Sequence, residues 1–90
     1  MSRDSLIVRA LEQLDIPTDT GGGIVHIELC GNREVFVENH KGILELGENE
    51  VLLNSGKGRV RITGQNLAVL AMNRDEIRLA GKIESVSFVV

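Results

Sequence analysis

The chain has 90 residues, ten Lys and Arg against thirteen Asp and Glu, a formal charge of -3, one cysteine and no Trp or Tyr. Its two phenylalanines stand in apolar strand patterns, so we expect few rings on which bases could stack, and its charge argues against a general polyanion binder. The single cysteine, Cys30, excludes an intramolecular disulfide framework and fits a reducing compartment. We expect neither a signal peptide nor an apolar run near the roughly 20 residues that cross a bilayer, and therefore a cytoplasmic protein.

Residues 2–15 predict one amphipathic helix. Its apolar positions recur at helical spacing: Leu6, Ile7, Ala10, Leu11 and Leu14. Ser2 is suited to cap the first turn, and Pro17 prevents the helix from continuing. Because the polar side carries few Lys and Arg, we expect the apolar stripe to pack on the sheet of the same chain and not on a membrane. Residues 18–23, TDTGGG, predict a flexible linker.

Residues 24–90 predict a β-domain, so that 1–90 form a single domain. Four segments look alike when they are aligned on a glycine, with spacings of 16, 17 and 17 residues between Gly31, Gly47, Gly64 and Gly81. Each unit has the pattern of a short strand, a glycine-led break, a second strand and a polar turn, which gives about eight short strands. Short polar turns favour antiparallel neighbours, so we expect a mainly β fold, a small two-layer antiparallel sandwich or roll. The alternative is a short β-solenoid with a 16–17-residue repeat.

No set of side chains meets the geometric requirements of a catalytic, cofactor or metal site, so we predict no enzyme activity, no cofactor and no small-molecule substrate. The soft or borderline metal ligands are His26, Cys30 and His40. Four positions along a strand separate the first two by about 13 Å, which is too far for one zinc ion.

The most distinctive polar cluster precedes Gly42 and consists of Glu38, Asn39, His40 and Lys41. One interpretation is a hairpin turn in which the asparagine bonds to its own backbone and the glycine takes a positive φ. The other is a recognition loop for a partner, because loops held by a rigid sheet often bind.

Two segments are candidates for the edges of the sheet, residues 24–30 and residues 86–90. The second ends in Phe88, Val89 and Val90, with no nearby charge to discourage pairing with another strand. We therefore expect a homo-oligomer, or a partner strand, at this segment.

Arg61 and Arg78 occupy the same position in successive units. Either they belong to an ordinary solvated face, or they form a basic face that contacts anionic lipid or nucleic acid.

Several ordered motifs resemble the YqfC/YabP family of sporulation proteins, with the YqfC branch the closer match. These motifs are IPTD, VENHKGILEL, VRITGQNL and EIRLAGKIESVSF, and the resemblance runs from Leu11 to Phe88. The resemblance implies a protein of an endospore-forming bacterium that acts in the mother cell during spore development, without known enzymatic activity. It also implies a membrane-bound sporulation partner.

Residues and resemblance together favour a non-enzymatic assembly or scaffold module that uses a strand edge and an apolar face. The alternative is a surface module that binds anionic lipid or nucleic acid through Arg61 and Arg78.

Overall fold

The computed structural model describes residues 23–90, which form one open antiparallel sheet of six strands. The strands are β1 (His26–Cys30), β2 (Glu34–Glu38), β3 (Gly42–Leu46), β4 (Glu50–Asn54), β5 (Arg59–Met72) and β6 (Glu76–Val89). Their order across the sheet is β1-β2-β6-β5-β4-β3, and every neighbouring pair is antiparallel. The prediction of a mainly β, antiparallel fold is confirmed. The predicted two-layer arrangement is not, because the long strands β5 and β6 join all six strands of residues 23–90 into one continuous sheet. The predicted helix over 2–15 and all of the 18–23 linker except Gly23 lie outside the described residues.

The sheet has six strands where the sequence pattern predicts eight, and the glycine-led breaks explain the difference. Gly31 and Gly47 begin true reversals between β1 and β2 and between β3 and β4. Gly64 and Gly81 instead lie inside β5 and β6, which continue through them. The prediction of eight strands is therefore wrong, because two of the four breaks are bends within a strand. The solenoid alternative is also wrong, since equivalent strands of successive units would stack in parallel.

The long β5–β6 hairpin bends at these two glycines. The register between the strands shifts between Thr63 and Gly64 and again between Gln65 and Ala68, as at β-bulges. A side chain at Gly64 would collide with the backbone carbonyl oxygen of Lys82, so only glycine fits this close approach. The bend gives the sheet two halves.

The first half contains β1, β2, residues 76–80 of β6 and residues 68–72 of β5. The second half contains β3, β4, residues 59–63 of β5 and residues 85–89 of β6. Each half thus consists of a short hairpin beside one end of the long β5–β6 hairpin. The short hairpin is β1–β2 next to β6 in the first half, and β3–β4 next to β5 in the second. We call residues 85–89 the β6 edge and residues 68–72 the β5 edge.

The core repeats this two-half arrangement. Eight aliphatic side chains are at most 1% exposed: Val35, Val37, Ile77 and Leu79 in the first half, and Val51, Leu53, Val60 and Ile62 in the second. In each half they face one another across two strands, for example Val35 opposite Leu79. Both groups belong to one hydrophobic cluster although β2 and β4 are not neighbours, so the sheet curves around a shared core. Full burial of each such side chain contributes roughly 1.5 to 3 kcal/mol.

Within residues 23–90, four stretches of backbone have a partner strand on one side only. Two are the outer strands β1 and β3. The other two are the β5 edge and the β6 edge, because β4 pairs only with residues 59–63 of β5 and β2 only with residues 76–80 of β6. The last strand, which the sequence predicts at an edge, is therefore central over its first half and an edge over its second.

Candidate functional site

The β6 edge is the open edge among residues 23–90 that is both uncharged and unbroken in register. Its five residues pair with β5 without a shift, from Ser85 opposite Thr63 to Val89 opposite Arg59. The segment, Ser-Val-Ser-Phe-Val, contains no charge and no proline. Phe88, which lies opposite the core residue Val60, is nevertheless 63% exposed. This edge therefore offers free backbone donors and acceptors beside an uncovered aromatic ring.

The other open edges carry features that discourage strand pairing. The β1 edge presents His26 and Glu28, which lie 3.1 Å apart through Nε2 and Oε1. The β3 edge carries Glu45 and a register shift, and the β5 edge, although uncharged, shifts its register at Leu70. Charges and bulges at edges are the means by which sheets avoid adding further strands.

The polar cluster before Gly42 is built as a turn. Asn39 has a φ of 65°, and its Nδ2 donates to the carbonyl oxygen of Ile24 at 3.1 Å. The His40 backbone N–H donates to the Asp75 carbonyl oxygen in the β5–β6 turn, and its Nδ1 accepts from the Gly42 N–H at 3.1 Å. These contacts tie the β2–β3 turn to the start of the sheet and to a second turn. Gly42 takes the predicted positive φ. The predicted hairpin is wrong, because β2 and β3 do not pair and the turn connects the two halves of the sheet. Asn39 bonds to Ile24 and not to its own backbone.

His40 itself is 3% exposed, and its Nε2 has no hydrogen-bond partner. Since Nδ1 accepts a hydrogen bond, the proton of the neutral ring lies on Nε2. Glu38 lies at the end of β2, opposite His26 and Glu76, while the exposed Lys41 donates its backbone N–H to Asn54. Of the four residues of the predicted recognition loop, Lys41 is thus exposed, Glu38 and Asn39 are half-buried, and His40 is buried.

The two arginines of the predicted basic face lie in different halves, and each has an acidic neighbour. Arg61 Nε is 2.6 Å from Glu50 Oε2, an ion pair without the alignment of a hydrogen bond. Arg78 Nη1 is 3.5 Å from Glu34 Oε1, and its guanidinium lies over the Phe36 ring at 4.9 Å. Such exposed pairs contribute only about 0–1 kcal/mol to stability, but they cancel the positive charge locally.

One group of side chains in the described part of the chain has the spacing of metal ligands. The ligand atoms of His26, Glu28 and Glu38 all lie within 4.8 Å of one another. Two of these residues are exposed, and Glu38 is half-buried. The sequence does not reveal this set, because Glu38 comes from the neighbouring strand and only the register places it opposite His26. His26, Cys30 and His40 do not form a set, since His26 and Cys30 lie at opposite ends of β1 and His40 Nδ1 is already bonded.

A hollow lined mainly by aliphatic side chains lies between β3 and the β5 edge. It has a volume of about 400 Å³, and its lining includes Leu46, Val51, Leu67 and Val69. Its lining brings together no nucleophile and base. Within residues 23–90 there is also no helix of the length and apolar character that a membrane span requires.

The fold and these surfaces define a small, mainly β protein whose described residues present open strand edges and no assembled set of catalytic groups. The chain belongs to the YabP family, whose model matches residues 23–90. It is 37% identical over 83 residues to a protein of Bacillus subtilis (strain 168) named "Uncharacterized protein YqfC", a match that covers 92% of this chain and 86% of that relative. The resemblance inferred from the motifs is thereby confirmed. No solved structure matches the chain.

Proposed function

We propose that this protein is a non-enzymatic sporulation protein, an assembly module of the mother-cell cytoplasm that binds through its β6 edge and the adjoining apolar side chains. Its partner at this edge is a second copy of itself or a membrane-associated sporulation protein. Family membership supports the role in sporulation, and the absence of converging reactive groups among residues 23–90 supports binding over catalysis.

The observation that carries the proposal is that the β6 edge combines an unbroken register with the absence of charge. An unpaired, uncharged strand with an unbroken register is a template for another strand, and main-chain hydrogen bonds then supply the affinity. Phe88 and Val90, both exposed, lie at the end of this strand and would be covered by a neighbour. Such an exposed aromatic residue is typical of the centre of a protein–protein contact.

A pull-down from sporulating cells tests this proposal. We expect tagged wild-type protein to capture a specific set of proteins, and Val89→Lys to lose them, because a lysine on the edge opposes strand addition. Ala71→Lys is the matched control, since Ala71 is exposed and occupies the β5 edge. Capture of the same proteins by wild type and Val89→Lys would contradict a contact at the β6 edge.

The lipid or nucleic-acid alternative has less support. Both arginines on which it depends lie beside carboxylates, in separate halves of the sheet. Sedimentation with anionic vesicles separates the two functions. Retention that is lost in Arg61→Glu with Arg78→Glu, while self-association remains, would favour the alternative.

A further inference from the structure

We infer that the β6 edge pairs with the β6 edge of a second copy, antiparallel, about a two-fold axis that passes at Ser87. This inference rests on the proposed function, in which the edge makes a contact, and it names the partner. Two-fold symmetric contacts bring the same surface of both copies together, so the surface must be complementary to itself.

The order of residues along the edge is self-complementary about Ser87. An antiparallel pair centred there places Val86 of one copy opposite Phe88 of the other, twice, and Ser87 opposite Ser87. The next positions out place Ser85 opposite Val89. An aromatic residue opposite a β-branched one is a favourable cross-strand pair, and two serines opposite each other can exchange a hydrogen bond.

The two faces of the paired strands also match. Val86 and Phe88 lie opposite the core residues Ile62 and Val60, so they point to the core face of the sheet. Val86 is half-buried and packs against the core, whereas Phe88 is largely exposed. Pairing would cover each Phe88 with Val86 of the other copy and extend the core face across the two-fold axis.

Charge and register together select this edge for self-pairing, because the β5 edge, although also uncharged, shifts its register at Leu70. No residue from Ser85 to Val89 is charged, so no like charges meet at the axis. The nearest cation on the neighbouring strand, Arg61, lies opposite Ser87 and is drawn away towards Glu50. By contrast, self-pairing of β1 about its centre would oppose Glu28 with Glu28, which is destabilising. Arg59 lies opposite Val89, and in the dimer Val89 would lie opposite Ser85 of the second copy, next to its Thr63. Arg59 would therefore face no cation along this row.

The paired edges would join β3, β4, β5 and β6 of both copies into one sheet of eight strands across this half. The three other edges would remain outside the contact. A membrane-associated partner, if it binds elsewhere, would therefore meet a dimer.

Charge-swapped variants at the axis test the inference. Ser87→Lys and Ser87→Glu each place like charges directly opposite each other in a homodimer, and Ser87 is exposed, so the monomer fold should tolerate both. We expect each variant alone to associate about tenfold more weakly than wild type by size-exclusion chromatography with light scattering. An equimolar mixture of the two should restore the dimer, because lysine then meets glutamate.

Ala71→Lys is the control, since Ala71 lies opposite Arg78 just as Ser87 lies opposite Arg61. It should dimerise as wild type does, and circular dichroism should show all variants folded. A wild type that is monomeric at high concentration, or a mixture that fails to restore the dimer, would overturn the self-pairing. In that case the pull-down distinguishes the two proposals. If Val89→Lys still loses proteins that wild type captures, the contact at the β6 edge stands and its partner is another protein.

Discussion

His40 shows how a single side chain can look functional in the sequence and serve the fold. It stands in the most distinctive polar cluster, yet its ring is buried and accepts a hydrogen bond from the Gly42 backbone. Its backbone N–H also reaches the β5–β6 turn at Asp75. The residue thus connects two turns that are 35 positions apart in the chain.

Replacement of His40 by alanine should destabilise the protein. The Gly42 N–H would lose its acceptor, and a cavity would remain, so we expect a loss of about 1–3 kcal/mol in the free energy of unfolding. Urea denaturation measures the loss. The other histidine provides the control, because His26 is exposed and His26→Ala should change stability by no more than about 0.5 kcal/mol. Equal effects of the two substitutions would contradict a structural role for His40.

At the scale of the elements, the two bent strands depend on Gly64. Gly64→Ala should cost on the order of 2 kcal/mol or more, because the added methyl group would meet the Lys82 carbonyl oxygen and lie 2.9 Å from Leu67 Cδ2. Gly47→Ala is the comparison, since its nearest neighbour is the Glu50 carbonyl oxygen at 3.2 Å and its φ is not positive. We expect a clearly smaller loss for Gly47→Ala in urea denaturation. If both variants lose the same stability, the bend does not require glycine at position 64.

The four units, the glycine in each and the antiparallel pairing of the strands were predictable from the sequence. Short polar turns and the alternation of apolar and polar residues are local signals. The sequence was not sufficient to distinguish a reversal at Gly31 or Gly47 from a bend at Gly64 or Gly81. Glycine permits a reversal and a bend alike. Which of the two forms depends on which neighbouring strand pairs with the residues on either side of the glycine. The position of Phe88 at an edge was predictable from the uncharged end of the chain. The acidic neighbours of Arg61 and Arg78 were not, since they come from β4 and β2 through the register.

At the scale of the whole molecule, each half of the sheet has open edges. The β5 edge and the β6 edge differ in the regularity of their pairing register. The β5 edge is as uncharged as the β6 edge, with Ala71 beside Arg78 as Ser87 is beside Arg61. What distinguishes it is the extra residue Leu70, which shifts the register between Val69 and Ala71. The shared core joins the two halves, so both edges belong to one folded unit.

The extra residue at position 70 has a consequence for how large an assembly can become. A molecule with two regular strand edges can add a copy at each edge, so its assembly grows without limit. A molecule with one such edge stops growing once that edge has paired. Deletion of Leu70 would straighten the second edge while Val69 and Ala71 keep their partners Leu79 and Arg78. We expect the shortened chain to form long ribbons visible by electron microscopy, and the unaltered protein to remain at a discrete size.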